Sequence, residues 1–217
     1  MEPTQVSVKS IRTFVKGKPM KFQLNKKAIR VFRTLQELPH EVGGRLDFNV
    51  DKLLERVSAR LGGVGTVQED FFDFEAEYHT HPKTTHKGKI ELNPPSSGDV
   101  YGIVEGLMRN ISRKNKITTQ VALIFSHKFI YTIYFDYDWL EDKFPGGTLV
   151  QRARKMLNLL KHDRPVQVPG YLDYMTKHNE YLRKSEKRYG VKIYTFKWTD
   201  KVTLQIAPVE PLLQSQA

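Results

Sequence analysis

The segment from Tyr78 to Asp99 reads YHTHPKTTHKGKIELNPPSSGD and concentrates side chains capable of metal chemistry. His79 and His81 alternate by two positions, so on a β-strand both imidazoles project from one face and can meet a single metal ion. Asp99 is the candidate third ligand. Near a helix start its carboxylate is electrostatically favoured, and three protein ligands leave a fourth position for water. Zinc acidifies bound water toward neutrality, but hydrolysis also needs a group that accepts the proton and returns it to a leaving amine. Glu41 is the candidate for that step, and Ser96 for a hydroxyl that donates to the developing oxyanion. The chain has no Cys, so any metal must be held by His, Asp, Glu or water, and thiolate nucleophiles and disulfides are excluded.

These side chains need elements to hold them. Asn25 reads as the N-cap and Pro39 as the stop of a helix over 25–38, with Ala28, Val31, Phe32, Leu35 and Leu38 at helical spacing. Val42, Leu46 and Phe48 fit a short strand interrupted by Gly43 and Gly44, and residues 51–60 read as a short helix. Residues 66–79 read as a strand that delivers His79, with Pro82 ending it. Ser96 or Ser97 caps a helix whose apolar stripe is Val100, Ile103, Val104, Leu107, Met108 and Ile111. Strands over 119–125 and 129–135 follow, joined by Ser126, His127 and Lys128 in a hairpin-like turn. After Pro145, Gly146 and Gly147 come a helix over 149–161, a Pro/Gly linker, a charged helix over 171–188, and strands over 191–196 and 202–206. This C-terminal portion either completes the first sheet or forms an appended subdomain.

Each carrier of chemistry also has a plain structural explanation. A lone Glu41 can pair with basic residues, an H-x-H can be an exposed strand, and Ser96 and Asp99 can simply cap a helix. His86 and His127 read as surface residues. Tyr171, Tyr174, Tyr181 and Tyr189 read as packing or interface groups.

Taken together, Glu41, the run His79-Thr80-His81-Pro82 and the run Ser96-Ser97-Gly98-Asp99 resemble the signature of the JAMM metalloprotease, or MPN-domain, family. The resemblance spans residues 25–137. It implies an α/β fold with a curved mixed sheet flanked by helices, followed here by a C-terminal α/β extension. It further implies Zn held by His79, His81 and Asp99, with Glu41 as acid/base and Ser96 as oxyanion stabiliser. Catalytic members are zinc peptidases or isopeptidases, many cutting ubiquitin or ubiquitin-like modifiers, so a protein or peptide substrate is implied. Two departures stand out: a longer interval between His81 and Ser96, making 83–94 an insertion, and a basic C-terminal portion that matches no familiar ubiquitin-binding module.

The organisation that follows is a basic N-terminal arm over 1–24, a JAMM/MPN-like domain over 25–140, and an extension or completing subdomain over 141–217. With 217 residues, 39% hydrophobic and 27% charged, the chain can bury a full core, and its composition excludes disordered, collagenous and coiled-coil classes. Lys and Arg number 35 against 24 Asp and Glu, a net charge of +11. That excess favours acidic partners without identifying nucleic acid or a particular protein. No apolar run has signal-peptide character or the length of a membrane span, so the expectation is an intracellular, cytoplasmic protein. The competing expectation keeps the JAMM-like fold as a structural or assembly component of a larger complex or virion, without turnover.

Overall fold

Residues 20–48, 54–57, 59–61, 76–83, 85–86, 89–90, 93–113, 121–162, 175–198 and 202–206 are described by the computed structural model. In chain order they form β1 (Met20–Leu24), α1 (Lys26–Gln36), β2 (Val42–Phe48), β3 (Leu54–Val57), β4 (Arg60–Leu61), β5 (Ala76–Thr80), β6 (Thr85–His86) and β7 (Lys89–Ile90). There follow α2 (Ser97–Ser112), β8 (Val121–Phe125), β9 (Phe129–Phe135), α3 (Tyr137–Lys143), α4 (Leu149–Lys161), α5 (Met175–Tyr189), β10 (Val191–Lys197) and β11 (Val202–Ile206).

A seven-stranded sheet runs β10-β9-β8-β5-β2-β3, with β4 also paired to β2. It is mixed: β5 and β8 are parallel and the other pairs antiparallel. The parallel pair needs a long crossover, which carries α2. β8 and β9 form the expected hairpin, closed by a Ser126 N–H to Phe129 carbonyl bond of 2.9 Å.

Strand alternation sorts side chains onto two faces. Ala122 and Ile124 of β8, Tyr131 and Ile133 of β9, and Ile193 of β10 pack with α2, α4 and α5. Leu46, Ala76, Tyr78, Leu123, Phe125 and Ile130 point the other way and pack with Leu24 and with Ala28, Ile29 and Phe32 of α1. Because Ala76 and Tyr78 face α1, the intervening Glu77 and His79 face the helices on the opposite side.

Local chemistry explains most element boundaries. Asn25 caps α1 by accepting the Ala28 N–H at 2.9 Å. Of the expected stripe on this helix, Val31 is instead exposed, and Ile29 takes its place in the core. Thr148 caps α4 through a reciprocal Thr148–Gln151 box.

Four expectations change. The stretch read as a short helix over 51–60 contains β3 and the first residue of β4, both strands paired along β2, because satisfying the open edge of β2 outweighs local helix preference. The last residues of the N-terminal arm form β1, antiparallel to β11. Residues 137–143, assigned no element, form α3, capped by Asp136, whose side chain accepts from the N–H groups of Asp138 and Trp139. In the insertion, β6 and β7 pair antiparallel. The first part of the expected 66–79 strand and the start of the 171–188 helix lie outside the described residues. In the C-terminal portion β10 pairs with β9 as an edge of the main sheet, whereas β11 pairs with β1.

Candidate metal centre

The two histidines sit at the carboxyl end of β5, between β2 and the parallel strand β8. His79 lies across from Gly43 on β2 and Ile124 on β8. The ladder continues past the strand, since the His81 N–H donates to the Phe125 carbonyl at 2.9 Å. Between them Thr80 turns to the other face, where its hydroxyl accepts the Val42 N–H at 2.9 Å. Backbone on both sides therefore fixes the H-T-H segment, leaving both imidazoles on the helix side. They are 6% and 9% exposed.

Asp99 arrives from the other direction. Ser96, not Ser97, is the N-cap of α2: its hydroxyl oxygen accepts the Asp99 N–H at 3.1 Å, and the Ser96 N–H donates back to Asp99 Oδ2. This reciprocal box orients the carboxylate at the positive end of the helix dipole.

The three side chains converge. His79 Nε2 lies 3.1 Å from His81 Nε2 and 3.2 Å from Asp99 Oδ1, and His81 Nε2 lies 3.4 Å from Asp99 Oδ2. Their ligand atoms all fall within 4.8 Å of one another. Burial opposes ionisation of Asp99, but the two facing imidazoles overcome it and hold the carboxyl well below the usual carboxylate range.

A chemical argument favours a cation here. His81 Nδ1 lies 3.1 Å from the Asn93 carbonyl, which can only accept, so Nδ1 carries a proton. In neutral His81 the Nε2 lone pair then points at His79 and Asp99. A lone pair on His81 Nε2 facing a carboxylate oxygen 3.4 Å away is repulsive, and a cation shared between them would relieve it. Ligands at about 2.0–2.1 Å from a tetrahedral zinc stand about 3.3–3.4 Å apart, close to the observed spacing. The Asn93 carbonyl is the kind of outer partner that sets the tautomer of a metal-binding histidine.

Glu41 immediately precedes β2. It stands two residues before Gly43, the β2 partner of His79. It is half-buried and is not one of the three converging ligand groups. Ser96 is beside Asp99 through the capping box. His127 does not join the cluster; its Nδ1 is 3.9 Å from Glu37 Oε1. His86 lies in β6.

Sequence reasoning missed two supports. Asn93 adopts a left-handed φ of 41°, which Asn tolerates better than most residues, and its amide donates to the Pro82 carbonyl at 2.9 Å. The Asn-Pro-Pro run was its only signal. The other support, Tyr181, comes from α5 and had no local signal at all.

Scans of protein-family models and searches of curated proteins and solved structures return no match to this chain. The His-His-Asp cluster and the helix-flanked mixed sheet are consistent with a JAMM-type fold. No described helix is long and apolar enough to cross a membrane.

Proposed function

We propose that this protein is a JAMM-type zinc hydrolase of peptide or isopeptide bonds. The observation that carries the reading is the convergence of His79, His81 and Asp99, with ligand atoms 3.1–3.4 Å apart, at the junction of β5 and the α2 N-terminus. These three residues would hold the ion, which would supply an acidified water and polarise the scissile carbonyl.

The remaining work falls to the chain. Glu41 accepts a proton from the attacking water as the oxygen bonds to the carbonyl carbon. It returns that proton to the amine nitrogen as the carbon–nitrogen bond breaks. The Ser96 hydroxyl donates to the oxyanion formed in between. Its oxygen already accepts the Asp99 N–H, which polarises the O–H and strengthens it as a donor. The substrate class is a protein or peptide, with ubiquitin-like conjugates the first candidates through the JAMM resemblance.

The test begins with metal analysis of full-length protein purified without chelators, followed by a panel of peptide and ubiquitin-like isopeptide substrates. One zinc per chain and metal-dependent cleavage are expected, with Glu41→Gln retaining zinc and losing about 10²–10⁴-fold in rate. A metal-free wild type that stays metal-free after zinc addition overturns the reading. So does Glu41→Gln that cleaves at the wild-type rate. A stable stoichiometric complex formed with zinc bound, and no turnover on its own components, favours the assembly role instead.

A further inference from the structure

The segment that delivers Asp99 is held from two sides. On one side Asn93 accepts from His81 Nδ1 and donates to the Pro82 carbonyl. On the other side the Tyr181 hydroxyl donates to the Pro95 carbonyl at 2.8 Å, across 86 residues of chain. Pro94 and Pro95 are buried, and neither has an N–H with which to anchor itself. Pro95 directly precedes Ser96, the residue whose N–H and hydroxyl orient the Asp99 carboxylate.

We infer that Tyr181 is a positioning residue of the metal site, through which the C-terminal helix α5 sets the placement of Ser96 and Asp99 against His79 and His81. The inference rests on the metal-site reading above and deepens it. It gives a task to the part of the chain beyond the JAMM resemblance, to which the sequence assigned no role at the site. Tyr181 is 2% exposed and packs within the helix-side core, so its ring is fixed before its hydroxyl reaches the strap. Burial, aided by the Asp99 charge, pushes its hydroxyl up to about 12, and it remains a protonated donor through the neutral range.

The bond carries consequence because the strap is short. Between the Asn93 and Pro95 carbonyls stands only Pro94, and one residue further is the helix cap. A Pro95 carbonyl without its donor is a buried acceptor, and relaxation that re-solvates it moves the adjacent cap. The carboxylate is the group expected to shift most, because it rides on the cap next to Pro95, whereas the backbone of His79 and His81 is held by the β5–β8 ladder.

The experiment is a cobalt(II) titration of full-length wild type, Tyr181→Phe and Tyr194→Phe, read by the visible ligand-field spectrum at saturation and by thermal unfolding of the metal-free proteins. Tyr194→Phe is the control: it removes a buried hydroxyl, 3.0 Å from that of Tyr134, on the opposite face of the sheet. Tyr181→Phe is expected to bind cobalt about tenfold more weakly, with an altered spectrum at full occupancy. Tyr194→Phe should lower the melting temperature comparably while keeping the wild-type affinity and spectrum. Wild-type affinity and spectrum in Tyr181→Phe overturn the inference and spare the metal reading, as does an equal loss of affinity in Tyr194→Phe. Wild-type protein that takes up no cobalt overturns the metal reading and this inference with it.

Discussion

The two faces of the central sheet use the same strands for different ends. Toward α1 the face is aromatic: Phe32 stacks on Phe125 with centroids 4.0 Å apart and meets the edge of Tyr78 at 5.0 Å. Toward the other helices, the next residues on β5 are Glu77 and His79, with His81 just beyond. Among the described residues, the buried Glu, His and Arg side chains (Glu77, His79, His81 and Arg152) all lie on this helix side. A strand period of two thus lets one five-residue strand serve as core on one face and present His79 to the candidate metal cluster on the other. The first face is packed with aromatic side chains, and the second carries the His-His-Asp cluster that could hold a metal.

If the division holds, damage to the α1 face should appear in stability and leave the ligands alone. Phe32→Ala is expected to show the largest effect, a loss of about 3–5 kcal/mol in urea unfolding of the metal-free protein, since it empties a fully buried, stacked position. Metal affinity of the folded protein should stay within about twofold of wild type. A tenfold fall in affinity would mean that the two faces are coupled, and a stability loss under about 1 kcal/mol would mean that the aromatic cluster is not the keystone.

Thr80 sits on the boundary between the two faces, because it lies between His79 and His81 yet faces away from them. Thr80→Val keeps the shape and removes the oxygen that accepts the Val42 N–H. The expected cost is about 1–3 kcal/mol for a buried amide deprived of its partner. The effect on metal binding should exceed that of Phe32→Ala, because this bond ties β2 to the H-T-H segment itself. Equal affinities for the two variants would remove that distinction.

Ser96→Ala probes the ligand side. Loss of the cap should cost about 1 kcal/mol in the metal-free protein. Metal affinity should fall as well, because the serine hydroxyl is half of the box that orients Asp99. Ser96→Thr, which retains a capping oxygen, should recover most of both. If affinity is insensitive to Ser96→Ala, the carboxylate is oriented by the histidines and not by the cap.

The parts legible in the sequence were those set by local chemistry. Asn25 announced α1 and the Ser96-Ser97 pair announced α2, with the fold choosing Ser96 as the cap, and the alternation of His79 and His81 announced a shared face. The parts that were not legible depend on distant partners. Residues 54–57 and 60–61 are strands because β2 needs partners, and nothing within 51–60 encodes that need. Tyr181 reads as one tyrosine among several in a charged segment until the fold brings it to Pro95. The spacing of the ligands in the chain was visible; the 3.1–3.4 Å arrangement of their atoms arises only when a strand end and a helix start meet.

The smallest expected effect concerns a charge on the helix side. Glu186 of α5 accepts the Ile193 N–H at 2.8 Å and so covers a backbone donor on β10, an edge strand. Burial raises its carboxyl above the ordinary 4.5, while the Ile193 N–H and the nearby Lys192 and Arg183 pull it back. With the folded-state value above the unfolded one, the folded protein binds the proton more tightly, so this group favours folding below about pH 4.5 and loses that contribution as pH rises through the raised value. Above that window the ionised carboxylate carries a net cost. Glu186→Gln keeps an acceptor oxygen and removes the charge, so its melting temperature should exceed that of wild type by about 1–3 °C at pH 8, with the gap closing toward pH 4. A variant less stable than wild type at pH 8 would show that Lys192 and Arg183 outweigh burial. The helix side would then hold its carboxylates by charge pairing, with no penalty to offset.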